Sequence, residues 1–260
     1  MPIITADDGC KLNVRIDGRD DAPALMLSNS LGCTLDMWEP QVADFSKDFR
    51  VVRYDRRGHG RSDVPDGPYS MQRFGSDVIA ILDALDIKRA HWCGLSMGGM
   101  VGQWLGANAP ERFDRIVLAN TACHYPDPTN WHNRIKAVTD GGLAAVADAV
   151  IAGWLTEGFR NQEPETTARL KAMLLASPVK GYLACCKALS TLDQRALLQK
   201  ISSPTLVIAG AQDKATPVEA GRYIADHIPG ARMIVLDAAH ISNVEQSAAF
   251  TDAVLGFLKG

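Results

Sequence analysis

The chain has 260 residues, 22 % charged and 47 % hydrophobic, with a formal net charge of −3. That length suits one large domain with its own core and no need of staples, and the slightly acidic balance leaves no basic excess for a nucleic-acid partner. No apolar run reaches the length of a membrane span and no basic-then-apolar leader opens the chain, so a cytoplasmic protein is expected. Cys10, Cys33, Cys93, Cys123, Cys185 and Cys186 show neither C-x-x-C pairing nor regular spacing, which fits small, buried, reduced residues and no metal site.

Residues 3–6 and 11–16 read as two strands joined by the tight turn Asp7-Asp8-Gly9. The run 24–29 is apolar on both faces, as a central parallel strand is. A helix over 37–45 and a strand over 50–55 follow, and then the glycine-rich loop 56–62. From 71 to 85 the apolar positions Phe74, Val78, Ile81, Leu82 and Leu85 keep helical spacing. A short strand over 89–93, a helix to Asn108 and a buried strand over 115–119 continue the alternation. Alternating strands and helices imply parallel strands with right-handed crossovers.

From Cys123 to about Leu198 no β-rich run is found, and short helices are expected over 134–140, 142–152, 165–177 and 181–189. The stretch is too long for a loop and reads as a helical lid inserted into the core. The alternation resumes with strand 205–210, helix 218–227, strand 232–236 and helix 244–258. The expected organisation is therefore core 1–122, lid 123–198 and core 199–260.

Between the strand at 89–93 and its helix lies Gly94-Leu95-Ser96-Met97-Gly98. A serine on a sharp strand-to-helix turn, flanked by glycines, is the nucleophile elbow of the α/β-hydrolase fold. Glycine at 94 and 98 allows strand and helix to approach closely while Ser96 takes a strained conformation. Ser96 is the candidate nucleophile, and the Met97 N–H, at a helix N-terminus, a candidate oxyanion donor.

A serine hydroxyl needs a general base, itself oriented by a third group. In this fold the partners follow in the order Ser, Asp/Glu, His, at the C-terminal ends of strands. His240, after the last strand, is the only histidine with the right order and edge: His124 and His132 precede the resumed core, and His227 closes a helix at the opposite edge. Asp213, directly after strand 205–210, is the candidate acid, with an Asx-turn role as the plainer reading. Asp237 sits too close to His240 and suits turn duty, while Asn120 is neutral. The second oxyanion donor is expected in the turn after strand 24–29, at the Leu31 N–H. There Asn29-Ser30 stands where His-Gly is common, so Ser30 either tolerates a glycine-type backbone or contributes its hydroxyl.

With these stretches in view the chain resembles the 3-oxoadipate enol-lactonases. The resemblance is carried by Leu27-Ser28-Asn29-Ser30-Leu31-Gly32, by Tyr54 to Ser62 with Asp63-Val64-Pro65 and Gly67-Pro68-Tyr69, and by Cys93 to Met100. Leu118 to Ala122, Gly181-Tyr182-Leu183-Ala184-Cys185-Cys186 and Leu236 to Glu245 extend it. Arg56 departs from it, where threonine is expected. The resemblance implies hydrolysis of a small anionic enol-lactone in aromatic-acid degradation, through an acyl-enzyme and with no cofactor. Trp131 and Arg134 match positions of that family, with Arg134 as a carboxylate ligand and Trp131 and Trp154 as walls of an apolar pocket. Other readings of the same fold are a broad esterase of small esters, a carbon–carbon bond hydrolase of ring-cleavage products, and a non-catalytic small-molecule receptor.

Overall fold

The computed structural model describes residues 2–260. Its centre is one eight-stranded sheet. The hairpin β1 (Ile3–Thr5) and β2 (Lys11–Asp17) is antiparallel and turns at Asp7-Asp8-Gly9, as expected. The core begins with β3 (Ala24–Ser28), buried at every position, then α1 (Glu39–Asp48) and β4 (Arg50–Tyr54). A short 3-10 turn at Leu35–Trp38, capped by the Thr34 hydroxyl, precedes α1. Then come α2 (Met71–Ala84), β5 (Ala90–Leu95), α3 (Met97–Asn108) and β6 (Phe113–Ala119).

Between β6 and the next strand lie six helices: α4 (Thr129–Gly141), α5 (Ala147–Trp154), α6 (Glu157–Gln162), α7 (Pro164–Leu175), α8 (Val179–Ser190) and α9 (Arg195–Leu198). The chain closes with β7 (Thr205–Gly210), α10 (Val218–His227), β8 (Arg232–Leu236), α11 (Ser242–Glu245) and α12 (Ser247–Lys259).

The strand order β1-β2-β4-β3-β5-β6-β7-β8 places β3 between β4 and β5. From β4 onward across the core every pair is parallel, whereas β1–β2 and β2–β4 are antiparallel. The chain moves outward from β3 to β4 and then returns to β5 on the other side. That reversal is the switch point at which ligand crevices open in such sheets. Ser28, the last residue of β3, pairs in register with Gly94 near the end of β5. The turns after β3 and β5 therefore emerge side by side.

The helical segment departs in detail from its expected boundaries. Gly142, at φ +66°, ends α4, and a 3-10 turn at Leu143–Ala145 delays α5 to Ala147. The short helix α6, unexpected from the sequence, is started by the Thr156 side chain accepting from the Phe159 N–H. The single helix expected over 244–258 is divided at Gln246, because the turn of α11 stays with the loop carrying His240. No single described helix is long and apolar enough to cross a membrane. All six cysteines are buried and unbridged.

Candidate active site

Ser96 joins β5 to α3 with φ +58° and ψ −116°, a conformation few non-glycine residues adopt. The surroundings hold it there. A Cβ on Gly94 would lie 2.2 Å from the Gly98 carbonyl oxygen, and one on Gly98 would lie 2.1 Å from the Ser28 carbonyl oxygen. Both glycines are thus required by close backbone approach, with the start of α3 packed against the ends of β3 and β5. The Thr121 hydroxyl donates to the Ser96 carbonyl at 2.7 Å, and the Ser96 N–H donates to Ala119.

His240 follows β8 and Asp213 follows β7, at the same sheet edge as Ser96. The Nδ1 of His240 lies 2.7 Å from Oδ2 of Asp213. Because a carboxylate oxygen accepts there, Nδ1 carries the proton and Nε2 is left as the acceptor. Oδ2 also accepts from the Thr216 hydroxyl at 2.7 Å and from the Asn120 amide at 3.1 Å. Oδ1 accepts from the N–H groups of Ala215 and Thr216. The Asx turn and the histidine contact therefore coexist, one on each oxygen. Burial on its own would raise the Asp213 carboxyl; the facing His240 and the hydrogen bonds from His240 and Thr216 outweigh it and hold the group below its ordinary value.

Asn120, with φ +44° at the end of β6, also bonds the Ala239 carbonyl and accepts from the Ser242 hydroxyl. It is too neutral to be the acid, yet it ties the acid's loop to the histidine's loop. Neither it nor Thr216 was legible as a site residue, since Asn120 acts across 93 residues of chain and Thr216 through a local turn onto Asp213. Asp237 stays outside, accepting from Gln212 on the surface. His227 stacks on Tyr223 with centroids 4.0 Å apart, and His132 is exposed.

Among the described residues, neither the Leu31 nor the Met97 N–H donates a hydrogen bond. Ser30 does not take a glycine-type backbone: its φ is not positive, and its N–H meets the Met37 sulfur at 3.3 Å. The turn's positive φ falls instead on Gly32, whose N–H donates to Nε2 of the buried His59 at 3.0 Å. Burial and the nearby Arg56 charge push His59 down to about 3, so it stays neutral and accepting.

Ser30, Leu31, Ser96 and His240 line one cavity of about 360 Å³. Its far walls come from the helical segment: Trp131 and Arg134 of α4, Trp154 of α5, and Tyr182 of α8, with Tyr125 from the preceding loop. Arg134 Cζ lies 5.1 Å from the centre of the Trp131 ring, and Arg134 forms no ion pair among the described residues. Burial raises the phenols of Tyr125 and Tyr182, which keeps both protonated. Seven of the nine expected site residues line this cavity; Asp213 stands behind His240, Met97 follows Ser96 in the chain, and Tyr125 and Tyr182 are additions. Tyr182 was visible only as part of a family-like stretch.

The chain matches the model of the α/β hydrolase fold family over residues 23–135 and 130–247. It is 45 % identical over 256 residues to 3-oxoadipate enol-lactonase 2 of Acinetobacter baylyi, covering 98 % of this chain and 96 % of the relative. It is 40 % identical over 257 residues to 3-oxoadipate enol-lactonase 1 of the same organism, covering 99 % and 96 %. The crystal structure of the enol-lactonase from Burkholderia xenovorans LB400 superposes with a TM-score of 0.97 at 42 % identity, over the full length of both chains. An elbow serine, a facing histidine–aspartate pair and near-full-length likeness converge: the chain belongs to the 3-oxoadipate enol-lactonase family, within the α/β-hydrolase fold.

Proposed function

We propose that this chain hydrolyses 3-oxoadipate enol-lactone to 3-oxoadipate in aromatic-acid degradation, with Ser96, His240 and Asp213 as its catalytic residues. The observation that carries the reading is a single cavity bounded on one side by Ser96 and His240 and on the other by Arg134, which forms no ion pair among the described residues. A serine at a strained turn and a cation without a carboxylate partner among the described residues, in one small space, suit an ester that also bears a carboxylate.

Ser96 Oγ attacks the ring carbonyl carbon while His240 Nε2 takes its proton. Asp213 holds the tautomer and stabilises the imidazolium. The carbonyl oxygen becomes an oxyanion between the Leu31 and Met97 N–H groups, both free to donate. Collapse breaks the ring C–O bond and releases an enolate oxygen, a good leaving group that stays tethered to the acyl-enzyme. Protonation of that enolate at carbon, by the proton His240 took from Ser96, gives the ketone; it removes the nucleophile that would re-close the ring and returns His240 to its neutral form. Water, deprotonated by His240, then attacks the acyl carbon and frees Ser96. No step requires a metal or organic cofactor.

Arg134 holds the substrate's carboxylate, Trp131 and Trp154 wall the ring, and Ser30 borders the oxyanion turn. Segment 123–198 acts as the lid that sets the substrate. We place the protein in the cytoplasm, in keeping with its unbridged cysteines. The test is spectrophotometric loss of the enol-lactone, run beside p-nitrophenyl esters. Turnover of the lactone is expected, and Ser96→Ala should lower kcat by about 10⁴ or more. Ester turnover without lactone turnover, or activity surviving that substitution, would overturn the reading.

A further inference from the structure

Arg56 is buried to 2 % exposure, yet forms no ion pair among the described residues. The neighbouring carboxylates are already committed. Asp55 accepts from the Asn13 amide and the Leu35 and Arg61 N–H groups, and Asp77 is held by Arg57 and Arg73. Nη2 of Arg56 donates to the Asn29 carbonyl at 2.6 Å, with the Ser28 hydroxyl at 3.4 Å. Nε and Nη1 have no hydrogen-bond partner among the described residues, and the guanidinium lies 5.7 Å from the Phe74 ring centre. A cation buried without a carboxylate is strongly destabilising in general. A shorter, neutral residue such as the threonine expected there would avoid that cost.

The charge sits at a specific joint. The Asn29 carbonyl that Arg56 binds also accepts the Gly98 N–H at 3.1 Å. Asn29 lies two residues before Leu31, and Gly98 one residue after Met97. The Asn29 peptide therefore fastens the turn bearing one oxyanion donor to the helix bearing the other, and Arg56 grips it from behind. The Asn29 side chain is itself pinned, donating to the Tyr54 carbonyl and accepting from the Trp38 indole, each at 2.9 Å.

We propose that Arg56 is a positioning residue for the oxyanion: its unneutralised charge, applied through the Asn29 carbonyl, favours negative charge at the Leu31 and Met97 N–H groups. This rests on the Ser96 reading above. A fixed cation in a low-dielectric interior, already oriented before the reaction, acts more strongly on charge that develops in the transition state than on the neutral substrate. It works on kcat and leaves substrate binding nearly alone.

The test compares inhibition by an alkyl trifluoromethyl ketone and by the corresponding methyl ketone. Ser96 Oγ adds to the activated carbonyl, its proton passes to His240 and the carbonyl oxygen becomes an alkoxide; the methyl ketone binds without adding. The ratio of the two inhibition constants reads oxyanion stabilisation separately from pocket fit. In Arg56→Gln and Arg56→Thr the preference for the trifluoromethyl ketone should fall about tenfold, equivalent to ~1.4 kcal/mol, with kcat falling in parallel and KM within about twofold. Arg56→Lys, which keeps the charge, should recover most of it. A wild-type ratio in the neutral variants, or a loss in Arg56→Lys as large as theirs, overturns the proposal. In the otherwise unchanged chain, a preference that survives Ser96→Ala would remove the nucleophile assignment itself, and that outcome is distinct from either.

Discussion

Arg134 and Asp213 illustrate how a side chain's role follows from the partners it has and those it lacks. Asp213 is saturated: both oxygens are engaged by described neighbours, so it can hold His240 but has nothing left for a substrate. Arg134 is the reverse, stacked over Trp131 at the cavity wall with no carboxylate partner among the described residues. A substrate carboxylate would complete it with a charge-assisted pair. Arg134→Ala should therefore raise KM for the anionic lactone roughly 10- to 100-fold, the equivalent of about 1.5–3 kcal/mol for a hydrogen bond to a charged group. KM for a neutral ester should change little, and Arg134→Lys should recover part of the loss. Steady-state kinetics on both substrates decides; an equal effect on the two would mean that the helix α4 had been disturbed instead. The site's ends were legible in sequence because Ser96, Asp213 and His240 follow strands in a required order. Asn120 and Thr216 were not, because their importance lies in a hydrogen bond across 93 residues for one and in a turn for the other.

Regular elements were read from apolar spacing wherever a buried face imposed it, as in α2, whose Phe74, Val78, Ile81 and Leu82 all lie in the core. Spacing carries no such signal where a helix is short or started by a single cap. That is why α6 and the division at Gln246 went unforeseen. Ion pairs between elements were equally invisible, and Arg57 is the leading case. It joins Asp8 in the turn of the β1–β2 hairpin to Asp77 of α2, with contacts of 2.8 and 3.1 Å to the first and 2.7 and 2.6 Å to the second. Arg57→Met would leave the buried Asp77 with Arg73 alone, which lies 3.2 Å away. Breaking a buried pair typically costs 3–5 kcal/mol; with Arg73 remaining, a loss of about 3 kcal/mol is expected in denaturant unfolding. The acid limb should change too. The hydrogen bonds from Arg57 hold Asp8 at about 2 against the opposing effect of burial. A carboxylate lowered in the folded state contributes stability above its unfolded pKa of about 3.9 and loses it as pH falls through the folded value. The decline in stability between about pH 4 and pH 2 should thus be shallower in Arg57→Met than in the parent, and an unchanged slope would argue that Asp8 gains nothing from the pair.

At the scale of the molecule, the helical segment and the sheet meet at the loop that carries His240. The Ile241 N–H donates to the Trp154 carbonyl at the end of α5. Glu245 adds a second tie: its carboxylate accepts from the Ala239 N–H at 2.9 Å, one residue before His240, and from both the N–H and the hydroxyl of Thr156 at the start of α6. One carboxylate thereby fastens the cavity's roof to the loop of the proposed general base, although Glu245 is not among the residues lining the cavity. Such a link makes the roof's position and the histidine's position a single variable, since neither loop can shift without breaking hydrogen bonds to the shared carboxylate. Small displacements of a base cost rate steeply, as oriented contact supplies much of an enzyme's acceleration. Glu245→Ala should lower kcat by about tenfold or more on lactone and simple ester alike. Hydrogen exchange should quicken together at residues 154–159 and 239–241, because both lose a partner held by the same group. Glu245→Gln keeps an acceptor and should fall between the two. Faster exchange in the helical segment alone, with kcat preserved, would show that roof and base move independently and that the carboxylate serves only to stabilise α6.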